Sequence, residues 1–249
     1  IKAQDVKELR EKTGLGMMEC KKALEEANGN LEEAIKNLRK SSALKAEKKA
    51  SRTAVEGLIT SKISGKEITF VEVNCETDFV AKDENFINFC EEALKVAVDT
   101  SSEENLLDKV SESMEKQRMS LVQKIGENII IRKVKKITGE VLESYIHSNK
   151  KIAAGVSLDQ GSPEIAKEVA MHIAASNPIV LSPGDLDESY INSEREIFRS
   201  QVEKENKPEE IKEKMIQGKL NKQLADVSLL KQPFVKDPSK SVEAFLSES

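Results

Sequence analysis

A chain of 249 residues, with 33% charged and only 4% aromatic residues, describes a water-facing, helix-rich polypeptide with length for two or three small cores rather than one large core. Its net charge of −5 supplies no global attraction for nucleic acid, and no apolar run approaches the ~20 residues that cross a bilayer. Three cysteines, Cys20, Cys75 and Cys90, lie far apart without a Cys-x-x-Cys pair, and the first residues lack the apolar stretch of a secretion signal, so reduced thiols and a cytoplasmic location are expected.

In chain order, residues 1–40 are predicted to form a three-helix module with apolar positions Val6 and Leu9, then Met18, Ala23 and Leu24, then Leu31, Ala34, Ile35 and Leu38. Thr13-Gly14-Leu15-Gly16 separates the first two helices. Asn28-Gly29-Asn30 separates the next two, with Gly29 suited to a left-handed turn and Asn30 to a cap, Glu33 following three residues later. Residues 41–53 then read as a basic linker. Across this stretch Lys40, Lys45, Lys48, Lys49 and Arg52 face a single acid, Glu47, which fits a solvated tether, a nucleic-acid patch or a partner-binding arm. No aromatic residues are interleaved for base stacking and no second basic block extends a groove, which favours the tether.

Residues 54–136 are predicted to form a first core subdomain with a connecting helix. Segments 56–63 and 66–75 make a hairpin around Ser64-Gly65, with Val71, Val73 and Cys75 on one face and Phe70, Glu72 and Asn74 on the other. A helix over 85–98 carries Phe86, Ile87, Phe89, Cys90, Leu94 and Val98, a connecting helix covers 106–125, and 128–136 is strand-like. A second subdomain, 137–184, repeats the order with a hairpin of 139–147 and 151–158 and a helix over 163–175. Residues 185–225 form a helical-hairpin coiled coil. Ile191, Phe198 and Val202 line one arm and Ile211, Met215, Leu220 and Leu224 the other, broken at Asn206-Lys207-Pro208. The C-terminal segment, 226–249, reads as extended around Pro233 and Pro238, with a helical patch at Val242, Phe245 and Leu246. The expected fold class is α+β.

Catalytic chemistry is not indicated. The chain has two histidines, and neither His147 nor His172 has neighbours at triad or metal-ligand spacing. Gly14 and Gly16 join helices and lack the Gly-Lys-Ser/Thr ending of a phosphate loop. No catalytic residue, metal site or cofactor is therefore expected. His172 reads as a packed helix residue, and His147 lies in a hairpin turn open to solvent or to a partner. What stands out is Glu76-Thr77-Asp78-Phe79-Val80-Ala81-Lys82, where a strand ends, a helix follows, and an aromatic ring sits among polar neighbours. Pattern alone leaves two readings open, a plug between strand and helix or a ring offered to a partner.

The stretch Glu72-Val73-Asn74-Cys75-Glu76-Thr77-Asp78-Phe79-Val80-Ala81-Lys82 resembles the signature of the elongation factor Ts family, the guanine-nucleotide exchange factors of elongation factor Tu. Residues 13–24 and the segments Lys124-Ile125-Gly126-Glu127-Asn128-Ile129, Met171-His172-Ile173-Ala174-Ala175 and Gln232-Pro233-Phe234-Val235 resemble further family segments in the family's order. The resemblance implies a ubiquitin-associated-like fold for the N-terminal module. It implies that Thr77, Asp78, Phe79 and Val80 contact the nucleotide domain of elongation factor Tu, dislodging its magnesium and phosphate contacts so that GDP leaves and GTP rebinds. Met17, Met18 and Lys21 then dock the N-terminal module, with His147 and Val235 as further contacts. The implied partner is elongation factor Tu, GDP-bound and nucleotide-free, with neither a membrane nor direct nucleic-acid binding. Family members commonly continue into a further strand and helix beyond the point where this sequence stops, so that pair is expected to be missing. The other readings are a ubiquitin-associated-like adaptor or peptide-binding module, and RNA binding through residues 40–52.

Overall fold

The computed structural model describes residues 1–101 and 104–249, which divide into two compact units, 1–138 with 146–153, and 139–145 with 154–249. In the first unit, α1 (Ala3–Thr13), α2 (Met17–Glu26) and α3 (Leu31–Lys49) close a small core of Val6, Leu9, Leu15, Cys20, Ala23, Leu24 and Leu38. Turn chemistry sets the helix ends: Gly14 adopts φ 67° after α1, and the Asn30 side chain accepts from Glu33 N at 3.0 Å to cap α3. Met18 does not join this core. The inward stripe of α2 is Cys20, Ala23 and Leu24, which leaves Met17 and Met18 in the first turn, 59% and 74% exposed.

Nor are residues 41–53 a linker. Leu38, Ser42 and Ala46 recur at four-residue spacing on one buried face, so α3 runs on to Lys49 and packs along α5 (Leu106–Ile125). Several of the cations have partners within the unit. Lys45 pairs with Glu19, Lys49 Nζ donates to Gly126 O, and Arg52 lies 3.6 Å from Glu76. The high charge density predicts a tether, but a stripe of small residues is enough to bury one side of a helix whose lysines stay at the surface.

β1 (Glu56–Ser64), β2 (Glu67–Cys75) and β3 (Ile130–Thr138) form one antiparallel sheet in that order. α4 (Glu84–Asp99) and α5 pack on it over a core of Val71, Val73, Cys75, Phe86, Cys90, Val110, Met114, Val122 and Ile129. Asn74, expected on the outward face of β2, is buried instead, because its side-chain amide donates to Glu56 O at 2.9 Å and its oxygen accepts from Arg132.

In the second unit β4 (Val141–Ile146) pairs with β5 (Ala153–Leu158), and α6 (Pro163–Ser176) supplies Ala166, Val169 and Ala170 to their shared core. α7 (Glu188–Glu203) and α8 (Glu209–Asp226) make the helical hairpin. Val202, Ile216 and Leu220 are its buried residues, while Ile211, in the first turn of α8 beside the Pro208 break, is 45% exposed and not part of the stripe. Residues 226–249 are not a segment apart. Leu229, β6 (Pro233–Phe234), β7 (Asp237–Ser241) and α9 (Val242–Glu248) complete the second core, where Phe234 and Phe245 stack at 4.3 Å. Helices and small antiparallel sheets together make this an α+β protein, and among the described residues no helix is long and apolar enough to cross a membrane.

Candidate functional site

The chain turns where β2 ends. Cys75, fully buried, donates its thiol hydrogen to Thr77 O at 3.2 Å, and Thr77 O also accepts from Ala81 N at 3.3 Å. A single 3-10 turn, Val80–Lys82, follows, and Asp83 caps α4 by accepting from Asn85 N at 2.8 Å. Phe79 stands between these anchors with φ −65° and ψ −47°, an unstrained conformation, and its side chain is 80% exposed. Burying such a ring would contribute about 1.5–3 kcal/mol, and that free energy is left unused by the isolated chain. Thr77 and Val80 are half-buried, and Val80 packs against the first core.

Charge surrounds the ring. Asp78 accepts from Lys82 Nζ at 3.0 Å, and that hydrogen bond and the ammonium charge hold its carboxyl below the ordinary value. Lys151, held above its ordinary value chiefly by its hydrogen bond to Glu56, lowers Asp78 a little further. Behind the loop, Glu127 Oε2 accepts from Glu76 N and Thr77 N, both at 3.0 Å, while its Oε1 accepts from the Thr77 hydroxyl at 2.6 Å. In return Glu76 Oε1 accepts from Asn128 N at 2.7 Å.

The other expected site residues fall in three places. Met17 and Met18 project from the first turn of α2, and Lys21 is exposed on the same helix, 3.8 Å from Glu25. His147 is exposed in the turn after β4, its backbone N–H donating to Ile152 O at 2.9 Å. Val235, between β6 and β7, is 47% exposed, and its N–H donates to His172 Nδ1 at 3.1 Å. The first unit thus contains the Phe79 loop, the α2 residues and His147, and the second contains Val235. Sequence reasoning passed over the individual roles of Glu127 and Asn128, although both lie in the quoted segment 124–129. The available signal was a carboxylate between Gly126 and the apolar Ile129, which is buried just ahead of β3.

Comparison with known proteins decides the family. The family described as Elongation factor TS matches residues 76–249 of this chain. The chain belongs to the elongation factor Ts family. Elongation factor Ts of Marinobacter nauticus is 52% identical over 244 residues, spanning 97% of this chain and 84% of its own length. Elongation factor Ts of Hahella chejuensis is 49% identical over 244 residues (97% and 85%), and that of Teredinibacter turnerae 50% identical over 253 residues (100% and 86%). The chain is accordingly a translation elongation factor, and guanine-nucleotide exchange on elongation factor Tu is the function of its family.

Proposed function

We propose that this chain speeds GDP release from elongation factor Tu by inserting Phe79 into the partner's nucleotide domain, displacing its magnesium and phosphate contacts. Asp78 meets polar groups of the partner beside the ring, and Thr77 and Val80 give the loop its shape. The observation that carries this reading is a ring 80% exposed at the head of a loop whose base is hydrogen-bonded on both sides. No covalent bond changes: the factor binds the nucleotide-free partner more tightly than the GDP-bound one, and GTP rebinding expels it. Linkage makes the effect reciprocal, so GDP weakens the complex by the factor by which the complex weakens GDP.

Burial of one phenylalanine is worth about 1.5–3 kcal/mol, or roughly one to two decades in an equilibrium constant. Release of a tightly held nucleotide needs more, and Met17, Met18, Lys21, His147 and Val235 supply further docking area. Methionine suits such a surface because its flexible apolar side chain adapts to its counterpart. The exchange takes place in the cytoplasm and requires no cofactor, membrane or nucleic acid of the factor itself. The test is stopped-flow release of labelled GDP from elongation factor Tu at saturating factor. Phe79→Ala should slow the maximal rate by about tenfold or more while the melting temperature stays nearly unchanged, as expected for a side chain 80% exposed in its own fold. An unchanged maximal rate would remove Phe79 from the mechanism.

A further inference from the structure

We infer that Glu127 is a positioning residue for nucleotide exchange: its carboxylate clasps the backbone at Glu76 and Thr77 and so holds the Phe79 loop in its docking shape. The inference rests on the reading that Phe79 docks.

The clasp is built from both sides. One carboxylate takes three donors, Glu76 N and Thr77 N at 3.0 Å and the Thr77 hydroxyl at 2.6 Å, and Glu76 answers by accepting from Asn128 N at 2.7 Å. Charge-assisted bonds of this kind are shorter and stronger than neutral ones. The residue they fix is the one on which the following turn is built. Thr77 Oγ1 accepts from Val80 N at 3.4 Å, and Thr77 O accepts from Ala81 N at 3.3 Å and from the Cys75 thiol at 3.2 Å. Phe79, two residues on and 80% exposed, has little packing to hold it. Its position is inherited from Thr77, and Thr77 is held by Glu127.

The same crossing reaches α3. Asn128 Nδ2 donates to Arg52 O at 2.8 Å and Ala50 O at 3.3 Å, and Lys49 Nζ donates to Gly126 O. Residues 126–128 therefore bind the Phe79 loop on one side and, on the other, the end of the helix that begins in the N-terminal module. The Phe79 loop and the N-terminal module are thus tied to one short crossing, so the loop is presented in its docking shape before the partner arrives.

Loss of the carboxylate releases the two backbone N–H groups to water and lets the loop sample other shapes. Apparent affinity falls by the fraction of time the docking shape is populated, so a loop in place a tenth of the time costs about tenfold. The experiment is a double-mutant cycle on the full chain, Glu127→Ala with Phe79→Ala, read as GDP release from elongation factor Tu across factor concentration. The expected result is that Glu127→Ala alone raises the half-saturating concentration about tenfold, and that in the Phe79→Ala background it adds less than about twofold. The same fold-loss in both backgrounds would overturn the inference, because the carboxylate would then merely support the fold. A loss in Glu127→Ala with none in Phe79→Ala would overturn the docking reading itself, and the inference with it. Should Glu127→Ala fail to fold, Glu127→Gln keeps the size and one acceptor oxygen. Hydrogen exchange at the Thr77 and Glu76 amides should then accelerate at unchanged melting temperature, and unchanged protection would overturn the inference.

Discussion

Phe79 and Val235 are both apolar and both held out of their own cores, and behind each a polar side chain from a distant segment accepts a backbone N–H. The acceptors differ in kind. At Thr77 it is a half-buried carboxylate with three donors. At Val235 it is the imidazole of His172, which has no exposed surface and lies 5.9 Å from the Phe234 ring. Because Val235 N–H points at Nδ1, that nitrogen holds a lone pair, so the ring proton is on Nε2 and is donated to Gln232 Oε1 at 2.8 Å. Gln232 in turn donates from Nε2 to Asp226 O at 2.8 Å. The first device is an edge clasp that water partly shares, and the second is threaded through a core. The difference teaches that removing the first loosens a loop, whereas removing the second costs stability of the whole unit.

The most severe way to strain this comparison is to delete the exposed side chains themselves. Phe79→Ala should slow maximal GDP release by about one to two decades, and Val235→Ala, which removes a smaller and less exposed group, by less than about tenfold. Equal losses in stopped-flow measurements would mean that ring size is not what matters. Next, His172→Ala should destabilise the protein by about 1–3 kcal/mol in urea titration, since it removes the partner of the part-buried Val235 N–H and of the buried Gln232 side-chain carbonyl. His172→Asn, whose amide oxygen falls near the place of Nδ1, should recover more of that loss than His172→Gln. The reverse order would contradict a ring proton on Nε2. A smaller effect comes from replacing Met17 and Met18 together by alanine. Association with elongation factor Tu should weaken by up to about tenfold in calorimetry with little change in melting temperature, both side chains being exposed. Equal affinity would take them out of the interface.

Alkali gives the mildest distinction. Burial is the main cause that pushes the thiols of Cys75 and Cys90 from an ordinary 9.0 up to about 12. The unfolded chain therefore loses these protons first. The stabilisation is whole below pH 9.0 and disappears as pH rises toward about 12. All three cysteines lie in the first unit, and Cys75 supports the Phe79 loop through Thr77. Amide exchange followed from pH 9 to pH 12 should show the first unit loosening before the second. Simultaneous loosening would assign alkaline instability to other groups.

Much of the local architecture was legible in the residues. The turn at Gly14, the Asn30 cap, the buried face of Val71, Val73 and Cys75, and the extent of α5 all follow from interactions within a few positions along the chain. The Phe79 loop was legible for the same reason, as a junction of two strongly patterned elements. Where neighbours in space are distant in sequence, pattern misled. Residues 41–53 look like a tether until α5 covers the Ser42 and Ala46 face. Met18 and Ile211 fit an apolar period but lie in the first turns of their helices and stay exposed. The C-terminal residues look detached until Phe234 and Val242 are seen filling the second core.

The sequence by itself determined most of the helices and strands, several of their ends, such as Gly14, Asn30 and both limits of α5, and that an aromatic side chain sits among polar ones at a strand end. Those outcomes depend on backbone geometry, capping and periodicity, which act over one or two turns of chain. Only the tertiary structure decided that the ring stays uncovered and that Glu127 and Thr77, 50 residues apart, meet. An unpaired backbone N–H must find some acceptor, but which acceptor is set by the surfaces that folding brings together.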